Sequence, residues 1–211
     1  MMPFQPMRPD SASLVATHID TQEANNVSNS RTLIRGQKIH HNAVLNFSFW
    51  RPLNWHQADL AAPHGVVYYP EDDPRTGFYV TATELDALEG DISEADLPAL
   101  HEGLHEGLQQ LPDCQVLSDE PITLQKAHGF DFLVTFNLNG DPCKRRLHIL
   151  YLGRRQYTLY GQGVPPDEYD VFQHIFDYMV LTFRFGDLSL DMGVPVMPDF
   201  SPMRTTDGRG N

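Results

Sequence analysis

The stretch FDFLVTFNLNGDPCKRRLHILYLGRRQYTLYGQG, residues 130–163, decides the fold. Phe132, Val134 and Phe136 recur at every second position, and so do Leu147, Ile149 and Tyr151. A period of two places each set on one face of a strand. Between the sets lies NLNGDP, whose Asn-Gly is a hairpin turn signal, and LGRRQ marks a second turn. With CQVLSDEPITLQKAHG ahead of it, the stretch reads as a meander of three or four antiparallel strands.

Working outward, the period changes to that of helices on both sides. Upstream, Ser93 opens a helix over about 93–111, with Glu94 and Asp96 in its first turn, where the helix dipole favours acids. Leu97, Leu100, Leu104, Leu108 and Leu111 form one apolar stripe, and Pro112 stops the run. Downstream, a helix over about 166–183 starts at prolines and ends before Gly186. Its buried face is Phe172, Ile175, Phe176, Met179 and Phe183. Further upstream, AVLNFSFW alternates from Val44 to Trp50 and closes at Pro52, and GVVYYP and GFYVTATEL are two more strands joined by an Asp- and Pro-rich turn. Grouped strands with few helices predict an α+β protein. The expected architecture is an α/β/α sandwich around a mainly antiparallel sheet of about six or seven strands. Residues 1–40 and 187–211 lack periodicity and read as flexible extensions of a single domain at 41–186.

Three stretches, FSFWRPLNW, LHILYLGRRQYTLYGQG and FQHIFDYMVLTFRF, together resemble the PsbP-like fold, shared by extrinsic photosystem II subunits, a Ran-binding transport factor and bacterial DcrB-like proteins. FSFWRPLNW looks like the family's opening strand with its Pro-x-x-Trp turn, here Pro52 to Trp55. LHILYLGRRQYTLYGQG looks like its late hairpin, and FQHIFDYMVLTFRF like its last helix. The likeness covers residues 43–186. The family shares no catalytic residues, so none carries over. The resemblance implies an accessory protein that docks on a protein partner.

Composition narrows the function classes. The 211 residues carry a formal charge of −13, which argues against a general nucleic-acid binder and against adhesion to anionic membranes. No apolar run is long enough for a spanning helix. The first twenty residues hold no apolar signal core, so a cytoplasmic location is expected. Cys114 and Cys143 make no metal-binding pair. No nucleotide or cofactor signature occurs, and no cofactor is expected.

One motif points elsewhere. His101-Glu102-Gly103-Leu104-His105 spells H-E-x-x-H, the pattern of zinc hydrolases in which two His bind metal and the Glu acts as base. Against it, a chain with ten His can spell the pattern by accident, and Leu111 stands where an extended motif would have a third His. The leucine stripe takes the packing side of the helix. His101 and His105 are therefore expected on a solvent-facing flank, with Glu102 further out. No metal site is favoured, and a zinc hydrolase using these three residues stays as the alternative, beside a small-ligand carrier. Cys143 and His148 are five apart and fall on opposite strand faces. His40-His41 belongs to the extension. Arg145-Arg146 and Arg154-Arg155 are the concentration of positive charge, and with Trp50 they are the candidate partner contacts. Trp55 reads as a core plug.

Overall fold

Residues 36–60, 64–70, 73–85 and 90–186 are described in a computed structural model of the chain. The expected extensions therefore lie outside the described residues, apart from residues 36–40. The chain runs through strands β1 (Gln37–Asn42), β2 (Phe47–Pro52), β3 (His56–Leu60), β4 (Gly65–Tyr69) and β5 (Gly77–Glu84). A single 3-10 turn at Glu94–Asp96 leads into helix α1 (Leu97–Gln109). Strands β6 (Gln115–Leu124), β7 (Ala127–Leu138), β8 (Asp141–Leu152) and β9 (Arg155–Gly163) follow, then helix α2 (Pro166–Leu181) and the short β10 (Arg184–Phe185).

Seven strands form one antiparallel sheet in the order β3-β4-β5-β9-β8-β7-β6, and β1-β2-β10 form a second, three-stranded sheet. The meander is as the alternation predicts, and its hairpins pair in register apart from a bulge between Val116 and Ser118 on β6. Leu138 opposes Asp141 across the Asn139-Gly140 turn, where both residues have positive φ (55° and 97°). That backbone is what the Asn-Gly pair supplies.

The two sets of alternate residues build two cores. Phe132, Val134, Phe136, Leu147, Ile149 and Tyr151 are buried on one face, covered by the leucine stripe of α1. Leu150, Tyr157 and Leu159 are buried on the other, beneath Phe172, Ile175, Phe176 and Met179 of α2. Helix, sheet and helix thus make the expected sandwich. Trp55 is a core plug, as expected, with its ring edge-on to Phe172 and Phe176 at 5.7 and 5.9 Å. Where α2 crosses β9, a Cβ on Gly161 would lie 2.5 Å from the Phe176 ring. Glycine there lets the helix seat directly on the strand backbone.

Three local expectations need correction. The opening strand begins at Phe47 and not at Val44, because residues 43–46 form a turn and Asn46 takes φ 55°. That strand also belongs to the small sheet, not to the central one. His40 and His41 lie in strand β1, which starts upstream of the expected domain boundary. The polar sequence QKIHHN hides this strand, which forms because it pairs along the whole of β2, from Gln37 opposite Pro52 to Asn42 opposite Phe47.

Candidate functional site

The H-E-x-x-H sequence occupies the middle turns of α1. Leu104 and Leu108 pull the helix onto the β7–β8 face. His101, four residues before His105, then lies over Phe130 and Phe132, with ring centroids 4.7 and 5.7 Å away. His105 meets the Phe132 ring edge-on at 5.4 Å. The two His side chains are 33% and 31% exposed, so the expected solvent-facing flank is corrected to a half-buried one. The physical reason is that the flank of the leucine stripe overhangs the edge strand β6, which covers part of both rings.

Strand β6 contributes the residue that meets them. Asp119 opposes Phe132 in the ladder, so its carboxylate emerges on the α1 face. The His101 Nε2–H donates to Asp119 Oδ1 and Oδ2 at 2.9 and 2.8 Å, and the His105 Nε2–H donates to Oδ2 at 2.5 Å. An ionised carboxylate only accepts, which places the proton on Nε2 in both rings. Burial alone would raise the Asp119 carboxyl, but the hydrogen bonds from His105 and His101 outweigh it and hold its pKa below the usual range. One ligand atom from each of the three side chains lies within 4.8 Å of the others, the spacing of a group able to hold a metal ion. A pocket of about 370 Å³, lined by His101, Asp119, Phe130, Leu97 and Glu94 among others, opens beside them. Glu102 is exposed on the next face of the helix.

Sequence reasoning missed Asp119. Its face is set by the two-residue turn at Gln125 and Lys126, where Leu124 pairs with Ala127 and Gln125 takes φ 57°. A slip of one residue would turn the carboxylate to the opposite face. The turn carries neither Gly nor Asn, so the sequence offers only a weak signal for it.

The basic candidates do not converge. Arg145 lies on the α1 face, hydrogen-bonded to Gln162 Oε1 at 2.9 and 2.5 Å and stacked between the rings of Phe136 and Tyr160. Arg146 lies on the α2 face in a two-pronged pair with Asp131, with contacts of 3.0 and 2.6 Å. His148 Nδ1 sits 3.5 Å from the same carboxylate. Arg154 is exposed at the β8–β9 turn, while Arg155 pairs with Glu84. Trp50 is half-buried on β2, its backbone N–H donating to Thr182 Oγ1. Cys143 and His148 are on opposite faces, as their spacing predicts, and burial pushes the Cys143 thiol up to about 11. That thiol is protonated at neutral pH and is no ready nucleophile.

A second polar group is buried in the small sheet. The ring of His40 packs against Phe47, Phe49 and Tyr68. The Tyr68 hydroxyl donates to Gln57 Oε1 at 2.7 Å, so it accepts from His40 Nδ1–H, also at 2.7 Å. This leaves Nε2 as a buried acceptor without a partner among the described residues. Burial first, then the positive neighbours Arg51 and His41, lowers His40 to about 4.

No protein-family model matches the sequence, and no curated protein matches it. The fold has relatives among solved structures. Cyanobacterial PsbP (CyanoP) from Synechocystis sp. PCC 6803 superposes with a TM-score of 0.52 at 12% identity, over 72% of this chain and 94% of that one. LpqN of Mycobacterium tuberculosis, involved in cell envelope biogenesis, superposes with a TM-score of 0.51 at 14% identity, over 72% and 91%. At such identities the likeness is one of fold: the chain has a PsbP-like fold, as the three quoted stretches imply.

Proposed function

We propose that this PsbP-like chain is a non-enzymatic accessory protein that docks on a protein partner through the β6 edge of its main sheet. The observation that carries this reading is the state of that edge. Strand β6 ends the seven-strand order, so one side of its backbone has no ladder partner among the described residues. At its bulge, between Val116 and Ser118, Val116 is 36% and Leu117 52% exposed. Sheet proteins usually blunt an edge with charge, Pro or a bulge; Asp119, Glu120 and Pro121 do so further along β6, which confines the apolar edge to Val116 and Leu117 beside the bulge. An open edge bearing apolar side chains suits an added extended segment, whose backbone pairs with the strand and whose side chains meet the apolar ones. The charge of −13 favours a segment with basic residues. The buried Cys143 thiol disfavours a thiol enzyme, and Arg145, Arg146 and Arg155, engaged within the chain, leave the docking role to the β6 edge.

A photo-reactive amino acid at position 117, expressed in the native host, tests this reading. It should yield a discrete adduct with one protein, and the same probe at Leu181, exposed on α2, should not. With that protein purified, Leu117→Lys should weaken binding at least about tenfold, the effect of placing a charge in an apolar contact. Equal adducts from both positions, or unchanged affinity of Leu117→Lys, would refute it.

A further inference from the structure

We infer that His101, His105 and Asp119 form a binding site for a divalent transition-metal ion of the zinc class, joining helix α1 to edge strand β6. The inference does not rest on docking at that edge.

Three features of the molecule carry it. The first is the donor set: two imidazole nitrogens one helical turn apart and one carboxylate oxygen suit zinc and its neighbours, and not calcium or magnesium, which prefer oxygen cages. The second is convergence. Both Nε2 atoms already point at one carboxylate, with contacts of 2.5 to 2.9 Å. Zinc bonds of about 2.0–2.2 Å in a tetrahedron set ligand atoms roughly 3.3 Å apart. Asp119 reaches that spacing from each nitrogen by withdrawing under about 1 Å, and an ion then takes the place of the two N–H protons, which move to Nδ1. The third is positioning. The helix is anchored by Leu104 and Leu108, the rings lie against Phe130 and Phe132, and Asp119 is held in the ladder opposite Phe132. A site on such supports loses little freedom when it binds.

Access and charge agree with this. The three side chains keep 33%, 31% and 23% exposure, so an ion can enter from solvent. Two neutral imidazoles and one carboxylate leave a zinc ion with net charge +1, and the adjoining pocket carries the further acid Glu94. Three protein ligands would leave a fourth position for water or a ligand donor, and His101 and Asp119 both line that pocket.

The test uses the full chain purified without a His tag, stripped with chelator and titrated with zinc chloride by calorimetry. One ion per chain should bind, with a Kd of about 1 µM or below. Saturation at a hundredfold excess over Kd should raise Tm by about 5–10 °C. Cobalt(II) in its place should give the strong visible bands of a four-coordinate ion. His101→Gln/His105→Gln and, separately, Asp119→Ser should weaken binding at least about a hundredfold, while His174→Ala, on the exposed side of α2, should leave it unchanged. Circular dichroism of each variant checks that it is folded, and Leu104→Ala disturbs the helix while sparing the ligands, so a folded Leu104→Ala should still bind. Equal affinity in the wild type and the folded double His variant would overturn the site. So would octahedral cobalt bands that survive Asp119→Ser. Zinc-dependent peptide hydrolysis lost in Glu102→Gln would uphold the ion and overturn the non-enzymatic reading instead.

Discussion

Phe176→Ala, paired with Gly161→Ala, probes how α2 is held on the sheet. Phe176 is 2% exposed, and its ring contacts Trp55, Phe78, Tyr169 and Phe172 at centroid distances of 5.7 to 6.4 Å. Truncating a buried Phe to Ala costs about 3–5 kcal/mol, with the larger values where the site cannot collapse. Four rigid aromatic neighbours resist collapse, which places the loss at about 4 kcal/mol or more. With a urea m-value of about 2 kcal/mol/M, the unfolding midpoint should fall by about 2 M at unchanged slope. Gly161→Ala acts on the same contact from the strand side. Its new Cβ would lie 2.5 Å from Phe176 Cγ and Cδ2, and the boxed ring has little room to yield. Overpacking of this kind costs about 1–3 kcal/mol. The double variant should be less damaged than the sum of the two, by about 1 kcal/mol or more, because the Cβ enters space that the ring has left. A loss under about 1 kcal/mol for Phe176→Ala would refute the seating of α2. Strict additivity would refute the direct ring-on-backbone contact.

His40, held at about 4 in the folded state against an ordinary 6.5, should make stability fall as pH drops from 6.5 towards 4, since the unfolded chain takes a proton that the folded chain refuses. The loss amounts to about 2 kcal/mol after allowance for partial exposure. Urea midpoints measured from pH 7 to 4 should slope less in His40→Phe than in the wild type, the remaining slope including His148, whose pKa burial also lowers; equal slopes would contradict the buried neutral imidazole. Arg146→Met should cost about 2–3 kcal/mol by leaving the buried Asp131 carboxylate without its cation. Arg146→Met/Asp131→Leu should recover most of that loss, and denaturation curves in which the single variant is as stable as the wild type would contradict the pair.

Much of the architecture was legible in the chain because its signals are local. Alternation at Phe132, Val134 and Phe136 and the stripe from Leu97 to Leu111 name the two surfaces that meet in one core. Trp55 and the Phe172–Phe183 face were legible in the same way. Strand β1 was not, because its polar residues become a strand only by pairing with β2. The arginines illustrate the opposite failure. Adjacent in sequence, Arg145 and Arg146 look like one basic patch, but period two sends one to each face, where Gln162 and Asp131 claim them.

The candidate metal site divides along the same line. Sequence alone determined that His101 and His105 share one side of a helix, since four residues make about one turn and that relation needs no partner. It also determined which helix face packs, through the leucines. Only the tertiary structure decided that the flank bearing the histidines meets a carboxylate. Asp119 reaches them through a turn at Gln125 and Lys126, a ladder opposite Phe132 and a helix laid across that strand. The turn lacks the Gly or Asn that would announce its register, the ladder and the helix packing join residues distant in sequence, and a single-residue slip at the turn would remove the carboxylate from the site.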